Sequence, residues 1–331
     1  MQVLQTILDA IARLAGRLVG KANQETVTQT PLELRVLLVV FDPFVDAAGR
    51  VKLTQQLGWS RVDELIAGYV ADIAECSNGL VKYRVIERHE VNEFPVKADS
   101  FTYTPQTFMD VFQRRVAPHS PDFVDYHKIA ADFNLYQRVA ANEFDEVWLF
   151  GFPYAGFYES RMAGVGSFWC NAPALDGSDG CPRRFVIMGF SYERGVGEML
   201  ESFGHRVEST LKQVFIRTQG DANLWDHYLR HDKTNPGMSE VGTLHYAPNS
   251  ATDYDWGNRR VVPSRCDDWY NFPNFKGDTT ARMVDCSEWG NGDIRLHHKW
   301  WLKHLPKLAG ESNGIGHNWW AYVADPNNVQ P

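Results

Sequence analysis

Hydrophobic positions recur along this chain with two periods, and the alternation between them sets the expected fold class. Leu4, Ile7, Leu8, Ile11, Leu14, Leu18 and Val19 share one face of a helix while Asp9, Arg13 and Arg17 lie elsewhere, so residues 1–20 predict an amphipathic N-terminal helix. The polar run that follows reads as a linker over residues 21–33, which leaves that helix either packed on the domain or free to mediate oligomerisation. From Leu34 onward the pattern alternates. Arg35 to Phe41 predicts a buried strand, and Ser60 to Asn78 a helix opened by a Ser60–Asp63 capping box and stopped at Asn78-Gly79. Leu80 to Glu87 predicts a strand, Asp125 to Asn142 a helix, and Glu146 to Phe152 and Phe185 to Phe190 two more strands. A helix over residues 193–215 closes the series. This order predicts an α/β fold in three layers, a mostly parallel sheet with flanking helices, over residues 34–220.

Beyond Gly220 the periodicity fades. Eight of the 11 tryptophans lie there among frequent Asn, Asp, Gly and Pro, so residues 221–331 predict an irregular, aromatic-rich C-terminal part of the same domain. The loop from Pro153 to Arg184 is long, rich in glycine and carries aromatics, the texture of a functional loop.

Composition narrows the classes of function. The chain has 331 residues, 44% of them hydrophobic, enough for a full core. A net charge of −8 and the lack of any Lys/Arg run longer than two argue against nucleic-acid partners and anionic membrane surfaces. The longest apolar runs, Val36 to Phe41 and Val147 to Phe152, fall far short of the ~20 residues a bilayer-spanning helix needs, so no membrane span is expected. Charges within residues 4–19 and the lack of a small-residue cleavage pattern argue against a signal peptide there. Four of the five cysteines fall in close pairs, Cys170 with Cys181 and Cys266 with Cys286, inside Gly-, Asp- and Asn-rich stretches. That spacing predicts two short disulfide loops and an extracytoplasmic or secreted protein, with buried free thiols as the alternative. Cys76 lies on an apolar helix face and reads as a small core residue.

The chemistry concentrates on the helix after Phe190. Val196, Met199, Leu200, Phe203, Val207, Leu211 and Val214 form its apolar stripe, and Glu198, Glu201, His205 and Glu208 form a second stripe roughly opposite. A solvated polar face is the plain reading. Against it, stacked carboxylates repel one another unless a cation or proton sits among them, and His205 is the only cation in the stripe. Gly195, Gly197 and Gly204 each cost about 1 kcal/mol in a helix, which implies close approach of another backbone or a ligand.

A strand, a short turn and a helix with a polar pair at i and i+4 resembles the active-site helix of the zincin metallopeptidases, whose motif is H-E-x-x-H. With His205 at the second histidine, Glu201 occupies the first position and Ser202 that of the glutamate. The resemblance implies zinc held by Glu201 and His205, with the base supplied by Glu198, Glu208 or a residue from elsewhere in the chain. His205-x-x-Glu208 also resembles the metal pair of the zinc carboxypeptidases, although there the pair lies on a strand-to-helix loop. Either parse needs a third ligand, for which His245 is the first choice and His317 the second. His89, His119, His127, His227 and His304 read as ordinary hydrogen-bonded side chains.

A second constellation, Asp253 to Asn258 followed by Asp267 to Asn271, alternates acids with aromatics as sugar sites do, making Tyr254, Asp255, Asp268 and Trp269 candidate substrate contacts. Its plain alternative is a loop knitted by Asp and Asn caps. Tyr154 and Glu159 follow a strand end, where open α/β sheets bind ligands, and join the substrate contacts. Asp176 to Gly180 resembles a short calcium loop without its downstream glutamate, leaving calcium as the second metal. Nucleotide-binding and serine-hydrolase motifs are missing. These features together predict a metal-assisted hydrolase of an extracellular polymer, peptide or polysaccharide. The competing expectations are a metal-free glycoside hydrolase using two carboxylates among Glu198, Glu201, Glu208, Asp255, Asp267 and Asp268, and a non-catalytic carbohydrate-binding protein on a zincin-like scaffold.

Overall fold

The apolar run ending at Phe41 forms strand β1 (Leu32–Phe41), which starts two residues before the expected domain edge at Leu34. The structure, a computed structural model, describes residues 30–330 apart from Ala47. The expected N-terminal helix and most of the linker lie outside the described residues. With β2 (Val81–Val91), β3 (Glu146–Gly151), β4 (Ser160–Ala163) and β5 (Phe185–Ser191), β1 builds a sheet of order β2-β1-β3-β5-β4. The first four of these strands in that order run parallel, and β4 is an antiparallel edge. Every residue of β3 is buried, as expected of a parallel strand covered on both faces.

Register divides the two faces. Val36, Leu38 and Val40 align with Glu146, Trp148 and Phe150, and these with Val186, Met188 and Phe190. On that face lie α2 (Val62–Cys76), which follows the short α1 (Leu53–Leu57), and α6 (Val196–Val214). Tyr69 of α2 meets Trp148 and Phe190 edge-on, each at 5.3 Å, and reaches Phe203 of α6 at 6.3 Å. Between the two α/β segments come α3 (Pro105–Phe112), α4 (Tyr126–Asp132) and α5 (Leu135–Ala140). Tyr136 of α5 packs on Phe185, whose side chain points to the opposite face, completing three layers. The C-terminal half adds α7 (Leu224–Tyr228), the three-residue strands β6 (Val262–Ser264) and β7 (Arg282–Val284), α8 (Ile294–Lys303), the hairpin of β8 (Lys307–Ser312) and β9 (Ile315–Asn318), and α9 (Trp319–Ala324). It lies over α2 and α6: Arg295 of α8 pairs with Asp72 of α2 at 2.6 Å, and Trp320 of α9 stacks on Phe203 at 5.9 Å. No helix among the described residues is long and apolar enough to cross a membrane.

Several local expectations are corrected. The Ser60–Asp63 capping box does not form; Arg61 is the N-cap of α2, and Ser60 instead donates its backbone N–H to the Tyr192 carbonyl. The single helix expected over Asp125 to Asn142 is two helices, because Asn134 turns left-handed at φ 55°. Asp125 does cap the first of them, accepting from the Lys128 N–H at 2.9 Å. The two disulfides are absent, and all five cysteines are free and buried. Each thiol of the expected pairs turns to its own local acceptor: Cys170 to Ser160, Cys181 to the Arg183 carbonyl, Cys266 to Asp267 and Cys286 to Asn291. The extracytoplasmic expectation rested on those pairs. Burial pushes the thiols of Cys76 and Cys266 up to about 12.

Candidate functional site

Helix α6 begins immediately beyond the C-terminal end of β5 and carries glycines where neighbours come closest. A Cβ on Gly197 would lie 3.1 Å from the Arg295 backbone nitrogen of α8, and one on Gly204 would overlap the Leu244 side chain. The glycines thus admit α8 and the segment that carries His245 against the helix. Leu244 is anchored there by its N–H, which donates to Glu208 Oε1 at 3.1 Å.

This packing brings Glu201, His205 and His245 together, with one ligand atom of each lying within 4.8 Å of the others. His205 Nε2 and His245 Nε2 are 3.2 Å apart, with the rings nearly perpendicular at 80°. His245 Nε2 is 3.3 Å from Glu201 Oε1. Each imidazole turns its other nitrogen to a carboxylate, His205 Nδ1 to Glu208 Oε2 at 3.0 Å and His245 Nδ1 to Asp253 Oδ1 at 3.2 Å. An ionised carboxylate only accepts, so each Nδ1 that faces one carries a hydrogen, while the two Nε2 atoms and Glu201 Oε1 converge on one another. Two imidazole nitrogens and a carboxylate oxygen brought this close need a shared proton or a cation among them. Tetrahedral zinc with bonds of about 2.0–2.1 Å to nitrogen or oxygen separates its ligand atoms by about 3.3–3.4 Å, close to the spacings found here.

The electrostatics agree with a cation-accepting cluster. Burial works against an ionised Glu201, but its hydrogen bond with His245 and the surrounding imidazoles of His298, His245 and His205 outweigh that cost and hold the carboxyl low. Burial also opposes charge on His205, yet Glu208, Glu159 and Glu201 raise its pKa. Glu159, in the loop just before β4, places Oε2 3.8 Å from His205 Nε2 with its side chain 40% exposed. Asn171 holds it through Nδ2, and the Asn171 N–H is fastened to Ser209 of α6 at 3.0 Å. Tyr254 lies against His245 with ring centroids 4.1 Å apart, and burial together with the Glu201 carboxylate pushes its hydroxyl up to about 12.

Other expected residues take different places. Glu198 accepts the Gly195 N–H at 3.0 Å and so caps α6, while Glu208 orients His205 and holds Leu244. Tyr154 gives its carbonyl to the buried Lys97 ammonium. Asp255 accepts from the Ala251 N–H and Asn258, and Asp268 from the Lys276 and Gly277 N–H groups, the knitted-loop arrangement. Trp269 is buried beside Tyr228, their centroids 5.0 Å apart. His317 bonds Ser312 at 2.7 Å, and neither it nor the Asp176–Gly180 loop belongs to a metal-competent cluster among the described residues. Sequence reasoning missed His298 of α8. It is buried and bonds the Gly197 carbonyl through Nδ1 at 3.3 Å, leaving Nε2 without a partner. Burial lowers it to about 4, against the pull of Glu201. The signal available for it was the His297-His298 pair in the tryptophan-bearing run after Asp293. No protein-family model, curated protein or solved structure matches this chain, so the site stands on its own geometry.

Proposed function

We propose that Glu201, His205 and His245 hold a zinc ion and that the protein is a metal-assisted hydrolase of a polymeric substrate, peptide or polysaccharide. The observation that carries this reading is the pair of Nε2 atoms 3.2 Å apart beside Glu201 Oε1, each ring backed on its far side by a carboxylate. Carboxylate–histidine–metal chains of this kind fix the tautomer and raise the basicity of the ligand nitrogen. Bound zinc would supply a Lewis acid and lower the pKa of a water molecule. The chain supplies the rest. Glu159, beside His205 and reached by solvent, takes the proton from the attacking water. Tyr254, protonated up to about 12 and 52% exposed, offers its hydroxyl to the developing oxyanion. Asn171 keeps Glu159 aimed at the cluster, and Glu208 and Asp253 keep the two imidazoles in register.

The test is hydrolysis of mixed peptide and polysaccharide libraries by the chelator-treated protein, with and without added zinc, alongside Glu159→Gln. Activity should return with zinc, and Glu159→Gln should retain the metal but lose at least a hundredfold in kcat. Activity that is indifferent to chelation would favour the metal-free glycosidase, and a fully active Glu159→Gln would remove the base assigned here.

A further inference from the structure

Cys266, Asp267 and His304 form a second cluster, independent of the first, in which one ligand atom of each lies within 4.8 Å of the others. It is assembled by parts of the chain with little regular structure. Cys266 opens a short 3-10 turn directly after β6, and His304 caps the C-terminus of α8. The imidazole is the informative member. His304 is 2% exposed, and its Nδ1 donates to the Trp300 carbonyl at 2.8 Å, which leaves a lone pair on Nε2. That atom has no hydrogen-bond partner among the described residues. A buried acceptor without a donor is costly, and this one sits beside a thiol and a carboxylate, the company in which a bound cation would satisfy it.

We propose that Cys266, Asp267 and His304 bind a second divalent cation of the zinc class, which staples the β6–β7 region to α8. The ligand set of thiolate, imidazole and carboxylate is the mixture zinc accepts and hard cations such as calcium do not. Cys266 Sγ lies 3.8 Å from Asp267 Oδ1, against about 3.5–3.7 Å for sulfur and oxygen sharing a tetrahedral zinc. Arg282 grips Asp267 through Nε and Nη2 and reaches Glu288 as well, yet each carboxylate oxygen has a second lone pair, so the guanidinium orients the ligand rather than blocking it. Binding forms a sulfur–metal bond and releases the thiol proton to solvent, with no change of oxidation state. β6 and β7 have three residues each, so their ladder alone is a weak anchor, and a metal bridge to α8 supplies the missing cross-link.

Cobalt(II) separates this site from the first, because only this one contains sulfur. Chelator-stripped protein titrated with cobalt should show a thiolate-to-cobalt charge-transfer band in the near ultraviolet and bind two equivalents. Cys266→Ser should lose the band and one equivalent, His304→Gln should lose at least tenfold in affinity for that equivalent, and His205→Ala should keep the band. Wild-type protein that saturates with cobalt without the band, or a band that survives Cys266→Ser, would overturn the proposal. Should Cys266→Ser fail to fold, the wild-type spectrum and His304→Gln decide alone. Loss of the other equivalent in His205→Ala reports on the first site and leaves this one standing.

Discussion

Arg206 and His205 are neighbours on α6, yet they look out on two different kinds of polar interior. Arg206 faces the sheet, where its guanidinium meets Glu146 at 2.6 Å and the carbonyls of Val323 and Ala324 at 2.7 and 3.2 Å. Glu146 in turn accepts from the Trp148 indole at 2.8 Å and the Tyr83 hydroxyl at 3.3 Å. The Arg206 guanidinium, the Trp148 indole and the Tyr83 hydroxyl all end on acceptors, and burial of the charges is offset by pairing. His205 faces away from the sheet, and its network runs from Glu208 through two imidazoles whose Nε2 atoms converge with Glu201 Oε1. A buried polar cluster that serves the fold exhausts its hydrogen bonds within the protein, whereas one that serves a ligand leaves ligand atoms converging on one point. The first type specifies how α6 sits on the sheet, and the second specifies what α6 does there.

The comparison breaks first if the sheet-facing network is not structural. Arg206→Met leaves Glu146 buried and unpaired, and should cost about 3–5 kcal/mol in urea unfolding while folded molecules still bind zinc through His205. A cost under about 1 kcal/mol would show that the closed network does not hold the helix. Acid should act on the other side. His298 has a folded pKa of about 4 against an ordinary histidine value of 6.5, so protonation favours the unfolded chain. Its contribution is fully present above pH 6.5 and is lost as the pH falls towards 4, roughly 3 kcal/mol in the limit. His297, lowered by the same burial, adds in the same direction. Chelator-treated protein should therefore lose stability steeply across that window, and His298→Gln should flatten the slope. The smallest effect on the fold is expected for Glu208→Gln. The amide keeps its oxygen for the Leu244 N–H but turns an NH2 donor towards His205 Nδ1–H, so the orienting hydrogen bond is lost and zinc affinity should fall about 10–100-fold with the melting temperature nearly unchanged.

Much of this was legible in the sequence because period and burial coincide there. The strands around Val36, Val147 and Ile187 are continuous apolar runs, and the two stripes of α6 separate cleanly at helical spacing. The i and i+4 pair Glu201/His205 and the choice of His245 named the three members of the first cluster. What stayed hidden was set by tertiary contact. β4 has four residues, too few for a period, and its loop placed Glu159 beside His205 rather than at a separate substrate patch. Glu198 and Glu208 shared the stripe, but only the structure shows one spent on the helix N-terminus and the other on a ring nitrogen. The cysteine spacing suggested disulfides because loop composition resembles that of stapled loops; the thiols instead pack separately, and Cys266 meets His304 from 38 residues away.

The most direct measurement is a calorimetric zinc titration of chelator-stripped wild type, His245→Ala and His317→Ala. The site at α6 predicts that His245→Ala binds one equivalent fewer than wild type, with folding retained, and that His317→Ala matches wild type. Equal stoichiometry and affinity in His245→Ala and wild type would contradict it.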